Sequence, residues 1–411
     1  MHGSWHRRIS DTSTAFGRPV TGLVASHPTL GSPESRPASR SPLVIAHRGA
    51  SGYRPEHTLE AYRLAIALGA DFVEPDLVVT GDGVLVARHD NEIAATTDVG
   101  YRPEFADRRT TKNVGSRTVT GWFIEDFTLA ELRTLRAREP LPELRQHNQL
   151  YDGRFAVPTF DEILDLVTDE SRRHGRPIGV CLETKQPTYF ASLGLPHEDA
   201  MLDALRRRRP ELPVLIQSFE PWVLRRLARR TTLPLVQLVD VTGRKHIERA
   251  GDTRTHADFL TPNGLREVST YAQVLGTHKS LLVPRDRNGR LGRPSGLAER
   301  ARGAGLAVHA WTFRNENAFL PAERRNGDET AAYGDAFGEY AVFSDLGVDA
   351  VFTDHPDTAV AAFAQPVARE PQGLLYRSRR RRPSEAIRPA SPTETSNTGA
   401  ATSRPGRPRM S

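Results

Sequence analysis

Residues 43–90 read LVIAHRGASGYRPEHTLEAYRLAIALGADFVEPDLVVTGDGVLVARHD, and this stretch determines how the chain is organised. The apolar run Leu43 to Ala46 is typical of a buried strand, and it delivers His47 at its C-terminal end. A second strand begins at residue 71 and carries Glu74 and Asp76. Because successive side chains in a strand point to opposite faces, these two carboxylates share one face. The stretch therefore predicts two strands that end in chemically active side chains.

A helix is expected between these two strands. Thr58 is a helix-capping residue type, which predicts a helix from about Leu59 to Leu68. Gly69 should end this helix, since glycine readily adopts the left-handed conformation found at helix C-termini.

A hairpin is expected directly after the second strand. Residues 80–83 read TGDG, a strong turn signal. The apolar segment 84–89 follows too soon for a crossover connection, so it should pair antiparallel. A register symmetric about the turn puts Glu74 opposite His89, which predicts that His89 lies beside the carboxylate pair.

Short apolar strands alternate with helical stretches along the rest of the chain. Together with the strands at 43 and 71, six further segments make eight: Ile178–Glu183, Val214–Phe219, Leu235–Val239, Ala257–Leu260, Ala307–Thr312 and Ala350–Thr353. Eight strands with intervening helices predict a (β/α)8 TIM barrel, with the His89 strand as an inserted hairpin arm. Leu281–Pro284 could count as a ninth strand.

The barrel should extend over residues 42–365. Residues 1–41 and 366–411 are rich in Ser, Pro and Arg, which is typical of disordered segments. Two capping boxes predict further helices, Thr128 with Glu131 and Thr159 with Glu162, and the second of these opens a helix over 160–167.

A long polar excursion, from Asn91 to about Tyr151, follows the hairpin. Its aromatic side chains could line a substrate pocket or attach the excursion to the barrel, and we favour the second interpretation. These side chains are Tyr101, Phe105, Trp122, Phe123 and Phe127.

Acidic residues end two of the predicted strands. Barrel enzymes place their reacting groups at the C-terminal ends of strands, where Glu74 and Asp76 lie, and Glu183 ends the next strand along the chain. Three carboxylates at one rim repel one another and have raised pKa values unless a cation lies among them. An all-oxygen ligand set favours Mg²⁺ or Ca²⁺ over zinc. The sequence therefore predicts a site for one divalent cation, Ca²⁺ or Mg²⁺.

Two histidines beside such a cation suggest proton transfer in phosphodiester cleavage, because histidine titrates near neutral pH. Taken singly, His47 or His89 would more often be a structural histidine or a metal ligand. Arg48 has the planar guanidinium that suits phosphate. Lys185 lies two residues after Glu183, in a chain that uses arginine for nearly all of its 56 basic residues. Both cations are assigned to substrate binding.

Gln217 and Trp311 also lie at predicted strand ends and are assigned to substrate binding. The Trp311 indole could pack on glycerol carbons or on a choline-like head group, or it could simply close the barrel rim. Asp354 and His355 precede Pro356 and are interpreted as helix-capping residues.

At these residues the sequence resembles the glycerophosphodiester phosphodiesterase family, and within it the periplasmic bacterial type. His57 is a departure, since many members carry asparagine there. The matching motifs occur in family order: HRGASGYRPEHTLEAY at 47–62, VEPD at 73–76, HD at 89–90, LETK at 182–185, QSFE at 217–220, AWTFRNEN at 310–317 and FTDHPDTAV at 352–360.

The resemblance implies a metal-dependent enzyme that hydrolyses glycerophosphodiesters to an alcohol and glycerol 3-phosphate. It implies that His47 and His89 form the acid and base pair and that Glu74, Asp76 and Glu183 hold the metal. The alternatives are a lysophospholipase D-like enzyme or a glycerophosphate wall-polymer hydrolase on the same barrel, or a non-catalytic binder of anionic polymers. The complete set of five residues argues against the binder.

The basic composition could indicate a nucleic-acid partner or an anionic surface. The net charge is +6 and the pI about 9.6, but the basic residues are scattered except for a run at 377–382. A solvated surface and tail are the favoured interpretation, so no nucleic-acid partner is expected. The basic tail could contact an anionic surface weakly.

The sequence leaves the cellular compartment undecided. Cys181 is the only cysteine, so no internal disulfide is expected, and its apolar neighbours predict a core position. No segment reaches the length of a transmembrane span. The segment Val20 to Ala25 is too short to be a convincing signal region. Secretion or a periplasmic location is implied by the resemblance, and a cytoplasmic location is compatible with the sequence.

Overall fold

The computed structural model describes residues 41–115, 117–208, 212–241 and 254–364. Its strands are β1 (Leu43–His47), β2 (Phe72–Glu74), β3 (Asp76–Val79), β4 (Leu85–Ala87), β5 (Thr110–Val114), β6 (Arg117–Gly121), β7 (Gly179–Thr184), β8 (Val214–Ser218), β9 (Leu235–Val239), β10 (Val274–His278), β11 (Ala307–Phe313) and β12 (Ala350–Thr353). Its α-helices are α1 (Leu59–Ala67), α2 (Leu129–Leu132), α3 (Phe160–His174), α4 (Pro187–Ser192), α5 (His197–Arg208), α6 (Pro221–Leu227), α7 (His256–Phe259), α8 (Pro262–Val268), α9 (Lys279–Leu282), α10 (Leu297–Gly303), α11 (Ala336–Asp345) and α12 (Pro356–Phe363).

The barrel is closed and parallel. Around it the strands follow in the order β1, β2 with β3, β7, β8, β9, β10, β11 and β12, and β12 pairs with β1. β2 and β3 are separated only by Pro75 and occupy one position, since both pair with β7. Eight positions therefore complete the sheet, which confirms the predicted (β/α)8 barrel. β4 joins β3 as the expected antiparallel arm.

Alternation along the barrel strands decides which side chains point into the barrel. Ile45, Phe72, Cys181, Leu215 and Phe352 belong to one buried apolar cluster inside it, and the core position of Cys181 is confirmed. The side chain two residues further along each strand shares the same face. These second side chains are His47, Glu74, Glu183, Gln217 and Asp354. An apolar layer thus fills the barrel, and a polar layer lies above it at the C-terminal ends.

The helix that connects β1 to β2 forms as predicted. Thr58 caps α1 by accepting a hydrogen bond from the backbone N–H of Ala61 at 3.1 Å. Gly69 follows with a φ of +95°, a conformation that favours glycine. Both capping boxes are confirmed. The helix that Thr159 opens extends to His174, seven residues beyond the predicted end at Val167.

The hairpin register differs from the prediction by one residue. Val79 lies opposite Leu85 and Leu77 opposite Ala87, so Glu74 does not face His89. The reason is the turn: the backbone N–H of Thr80 donates to the Val84 carbonyl at 3.0 Å, which closes a three-residue loop. His89 therefore lies beyond the end of β4.

Two strand predictions were wrong in the region 257–284. The segment around 257–260 is the short helix α7, because Thr255 and Asp258 form a capping box there. The strand is instead β10, at Val274–His278, and the ninth-strand candidate lies at α9. Gly276 weakens the strand signal in the sequence. A Cβ there would come within 2.6 Å of Leu238 Cδ2, so a larger residue would require the Leu238 side chain to move.

The aromatic residues of the excursion mostly attach it to the barrel. Phe105, Phe123 and Phe127 are buried, and the Trp122 indole donates to the Phe105 carbonyl at 2.7 Å. Tyr101 is the exception, with 73% of its surface exposed. None of the five lines the cavity described below. Phe105 and Phe127 belong to the same apolar cluster as barrel residues such as Leu77 and Val78, so the packing interpretation is confirmed for these two side chains.

None of the described helices is both long and apolar enough to cross a bilayer. The predicted tails, the basic run at 377–382 and the segment 20–25 lie outside the described residues. The compartment and the disorder of the tails remain predictions.

Candidate active site

Strand register brings the polar layer together at the C-terminal ends of the barrel strands. His47 on β1 lies opposite Glu74 on β2. Asp76 on β3 lies opposite Glu183 on β7, which in turn lies opposite Gln217 on β8. Residues far apart in sequence thus become neighbours because parallel strands end at one edge.

A cavity of about 160 Å³ opens at this edge, and we call it the rim cavity. Its lining includes all nine residues that the sequence proposed for the site. These are His47, Arg48, Glu74, Asp76, His89, Glu183, Lys185, Gln217 and Trp311.

Three buried carboxylates form the acidic side of the rim cavity. Glu74, Asp76 and Glu183 each offer an oxygen, and these oxygens all lie within 4.8 Å of one another. The backbone N–H of Arg48 and the side chain of Gln217 donate to the two oxygens of Glu74, at 2.9 and 3.0 Å. Asp76 Oδ1 is buried without a hydrogen-bond partner in the described residues. Three converging carboxylates, one of which has an oxygen without a hydrogen-bond partner, suit a divalent cation.

Charge repulsion and burial shift the acidity of two of these groups. Burial, with the negative charges of Asp76 and Glu183 beside it, raises the pKa of Glu74 well above its ordinary value. Burial likewise raises the pKa of Glu183 to about 8, and Lys185 only partly opposes this. Such carboxylates are stabilised in their charged form when a cation joins them.

Asp76 does not follow the predicted rise. Burial would raise its pKa, but the Lys185 ammonium and a hydrogen bond from His57 hold it well below the ordinary range. The Lys185 Nζ lies 3.0 Å from Glu183 Oε1 and 3.6 Å from Asp76 Oδ1. A neighbouring cation therefore keeps one of the three acids ionised.

His57 contributes to the site, although sequence analysis assigned it no role. It is completely buried and has a positive φ of 53°. Its Nε2 lies 2.9 Å from Asp76 Oδ2 and its Nδ1 lies 2.8 Å from the Tyr62 hydroxyl. In the sequence, only its position inside the motif at 47–62 indicates that His57 belongs to the site. His57 fixes the orientation of the Asp76 carboxylate.

His47 has a carboxylate partner, and the prediction for that partner was wrong. Asp354 Oδ1 lies 2.6 Å from His47 Nδ1, whereas no side chain caps the start of α12. Asp354 points into the barrel because it lies two residues after Phe352, on the same face. Side-chain alternation along the strands, with its period of two, identified the other site residues. Asp354 follows the same pattern, so its place in the site could have been predicted from the sequence. His355, the second expected cap, is buried and lies 3.1 Å from the Tyr333 hydroxyl.

The two histidines differ in environment. Burial, followed by the nearby charge of Arg48, lowers the pKa of His47 to about 4. The His89 side chain is 34% exposed, and its Nδ1 lies 3.2 Å from Asp90 Oδ2. One imidazole is therefore enclosed at the barrel edge, and the other lies at the entrance of the rim cavity.

Arg48 brings a fixed guanidinium to the rim cavity. Its Nη1 donates to Glu56 Oε2 at 2.6 Å, and its Nε lies 3.7 Å from Asp76 Oδ2. Burial opposes its charge, but Glu56 and Asp76 outweigh this and raise the pKa of Arg48, so it stays cationic.

Aromatic rings form the opposite wall of the rim cavity. Trp311 meets Phe219 edge to face at 5.8 Å between ring centroids, and meets His278 in the same way at 5.0 Å. Such a wall can pack against carbon atoms of a ligand.

Comparison with known proteins gives one consistent result. The family model described as the glycerophosphoryl diester phosphodiesterase family matches residues 47–358. The glycerophosphodiester phosphodiesterase GDPD6 of Arabidopsis thaliana is 34% identical over 354 residues, which cover 80% of this chain and 90% of the relative. A glycerophosphodiester phosphodiesterase of Haemophilus influenzae is 27% identical over 348 residues, which cover 77% and 88% of the two chains.

Solved structures show the same fold. A crystal structure of a protein from Silicibacter pomeroyi DSS-3 superimposes with a TM-score of 0.54 at 22% sequence identity. The match covers 79% of this chain and 94% of the other. At this identity the likeness supports the barrel fold alone.

Proposed function

The chain belongs to the glycerophosphoryl diester phosphodiesterase family, and on that premise we propose that His47 and His89 perform the proton transfers of glycerophosphodiester hydrolysis in the rim cavity. The substrate is a small molecule, and the products are an alcohol and glycerol 3-phosphate. One observation carries the proposal: His47 and His89, the three carboxylates and the cationic side chains of Arg48 and Lys185 line a single cavity.

Glu74, Asp76 and Glu183 would hold the metal. Enzymes of this family generally use a divalent metal ion, and the three oxygens within 4.8 Å of one another suit one such ion. When bound, the ion supplies positive charge that offsets the negative charge developing on the phosphoryl oxygens. Because all the ligands are oxygens, we expect Ca²⁺ or Mg²⁺.

Arg48 and Lys185 would bind the phosphate group. Arg48 is immobilised by Glu56, and Lys185 is held by Glu183 and Asp76. Cations fixed in this way stabilise charge that develops during the reaction without having to reorganise. Lys185 is also buried, which strengthens its electrostatic effect.

His47 and His89 would act as a pair. One imidazole accepts the proton of the attacking oxygen as that oxygen bonds to phosphorus. The other donates a proton to the alkoxide as its bond to phosphorus breaks. Asp354 accepts a hydrogen bond from His47 Nδ1, which leaves Nε2 of the same ring for proton exchange. Asp354 is thus a positioning residue.

Gln217 and Trp311 would contact the organic part of the substrate. Gln217 Oε1 and Trp311 Nε1 are buried without hydrogen-bond partners in the described residues. An acceptor and a donor of this kind suit hydroxyl groups, since leaving them unpaired costs free energy. Glycerol carbons can pack against the rings of Trp311 and Phe219.

Turnover of glycerophosphocholine tests the proposed function directly. We expect purified protein to release glycerol 3-phosphate with Ca²⁺ or Mg²⁺, to lose activity with a chelator and to regain it with added cation. Added cation should also raise the melting temperature, because it binds only the folded state. Absence of turnover with every divalent cation would favour the non-catalytic binder.

A matched pair of variants tests the metal ligands. Glu74→Gln should abolish activity and remove the rise in melting temperature caused by added cation. Glu143→Gln is the control, because it removes the same charge from an exposed position on the excursion. An unchanged thermal response in Glu74→Gln would exclude Glu74 as a ligand.

A further inference from the structure

A second cavity adjoins the rim cavity, and we call it the side cavity. Its volume is about 510 Å³. It shares His278, Thr312 and Arg314 with the rim cavity. His278 ends β10, Thr312 lies near the end of β11, and Arg314 directly follows β11. The three carboxylates belong to β2, β3 and β7, which lie on the far side of the barrel. A substrate whose phosphate lies near the carboxylates can therefore extend one arm into the side cavity.

Cationic side chains outnumber anionic ones in the side cavity. Lys279, Arg285 and Arg314 line it, and Glu339 is the only carboxylate in its lining among the described residues. Lys279 Nζ lies 2.8 Å from Glu339 Oε1, and Arg285 Nη2 lies 3.4 Å from the same oxygen. One carboxylate is thus shared by two cations, which leaves a net positive charge.

Arg314 adds to this excess. Its Nε donates to Asp354 Oδ2 at 2.6 Å, but Arg145 Nη2 donates to the same oxygen at 2.5 Å. The Arg314 guanidinium carbon lies 4.5 Å from the centre of the Phe319 ring, which holds it in place. Its two Nη groups donate to nothing within the described parts of the chain. Arg314 therefore combines a fixed position with unused donors, beside both cavities.

Two further acids of this region, Asp286 and Glu323, do not line the side cavity. Asp286 Oδ1 accepts hydrogen bonds from the backbone of Asn288 and Arg290. Glu323 accepts one from the backbone of Leu291. Each of these acids thus has a backbone partner in the segment 288–291.

We propose that the side cavity binds an anionic head group, specifically a phosphate ester carried by the alcohol half of the diester. The inference rests on the proposed function. Of the two halves of the substrate, glycerol is uncharged, so only the variable alcohol can match a cationic site. Arginine donors suit phosphate oxygens, and such charge-assisted hydrogen bonds are among the strongest in proteins.

Two substrates that differ by one phosphate test the proposal. Glycerophosphoglycerol carries an uncharged alcohol, and its terminal phosphomonoester carries an anionic one. We expect wild-type kcat/KM to be higher for the phosphorylated substrate by about tenfold or more. Sodium chloride should reduce this preference, because salt screens partly exposed charges.

Arg285 is the residue to change, since it lines only the side cavity. Arg285→Gln should reduce the ratio of the two kcat/KM values by about tenfold, and Arg285→Lys should retain part of the preference. Arg287→Gln is the matched control: Arg287 is exposed on the same loop and lines neither cavity. It should leave the ratio unchanged. Because both substrates are assayed on one preparation, partial unfolding of a variant cancels from the ratio.

The outcomes separate the two proposals. Absence of wild-type activity on both substrates would contradict the proposed function itself. Turnover of glycerophosphoglycerol without preference for the phosphorylated form, or an equal ratio in wild type and Arg285→Gln, would overturn only the head-group site.

Discussion

At the residue scale, the Asp354 carboxylate connects the His47 imidazole with two guanidinium groups. Its Oδ1 accepts from His47, and its Oδ2 accepts from Arg145 and Arg314. Burial would raise the pKa of Asp354, but the two guanidinium groups hold it well below the ordinary range. Asp354 therefore stays ionised and keeps the His47 ring in one orientation.

Replacement of Asp354 should affect turnover rather than binding. Asp354→Asn keeps the shape of the side chain but removes the charge that orients His47. We expect kcat to fall by about one to three orders of magnitude with little change in KM, together with an altered pH profile of kcat. Asp357→Asn is the control, because within the described residues Asp357 accepts a hydrogen bond from the Tyr53 hydroxyl alone. A variant with normal kcat and a normal pH profile would show that Asp354 does not position His47.

Replacement of His89 tests the second proton-transfer group. His89→Ala should depress kcat by about two to four orders of magnitude and largely spare substrate binding. Steady-state kinetics on glycerophosphocholine measures both parameters. His147→Ala, at an exposed position on the excursion, should behave like the wild type. A change confined to KM would argue against proton transfer by His89.

At the element scale, the excursion between β4 and α3 supports the site from outside the barrel. Arg145 lies on it, buried, with its Nε donating to Glu316 Oε1 at 2.8 Å and its Nη2 donating to Asp354. Its Nη1 also donates to the Ser51 carbonyl at 3.0 Å. The excursion thus contributes a structural cation that connects the loop after β1 with the ends of β11 and β12.

Removal of that cation should destabilise the fold. Arg145→Met leaves Glu316 and Asp354 buried with fewer partners, and breaking a buried ion pair in this way costs about 3–5 kcal/mol. Chemical denaturation should therefore show a lower free energy of unfolding. Arg154→Met changes an exposed arginine shortly after the excursion and should stay within about 0.5 kcal/mol of the wild type. Equal stability of the two variants would contradict the supporting role of Arg145.

At the scale of the whole molecule, histidines buried away from the site make stability depend on pH. Burial lowers the pKa of His197 to about 4 and that of His309 to about 3. In the unfolded chain a histidine has a pKa of about 6.5. The folded state therefore favours the neutral form, and the unfolded state binds more protons between these values. Stability is complete above the unfolded pKa and decreases as the pH falls towards the folded pKa.

His197 offers a test of this dependence. Its ring meets Phe190 at 5.0 Å, and its Nε2 lies 3.0 Å from the Leu77 carbonyl, which a glutamine amide could also reach. Between pH 6.5 and 4, His197 should lower the unfolding free energy of the wild type by about 3 kcal/mol, and His197→Gln should not show this decrease. His147→Gln is the exposed control and should keep the wild-type slope. Denaturation curves at several pH values would measure both, and equal slopes would contradict the prediction.

Much of the fold follows from local patterns in the sequence. Apolar runs bounded by turns located seven of the eight barrel positions, and side-chain alternation placed His47, Glu74, Asp76 and Glu183 at strand ends. The strand at Val274–His278 was missed because Gly276 weakens the strand signal. A Cβ at this position would lie 2.6 Å from the Leu238 side chain on the adjacent strand, and the local sequence does not show that contact. The hairpin register was predicted wrongly because the prediction placed four residues, 80–83, in the turn. The hydrogen bond from the Thr80 N–H to the Val84 carbonyl instead closes a three-residue loop.

By itself, the sequence determined the barrel, the rim where polar side chains collect and the acidic set that suits a cation, since strand period and strand ends are local properties. Only the tertiary structure decided which distant side chains touch. Asp354 reaches His47 across 307 residues, and Arg145 reaches Asp354 across 209. Closure of the barrel brings β12 beside β1, and packing of the excursion brings Arg145 to both. Such contacts depend on how the elements assemble, so no spacing along the chain specifies them.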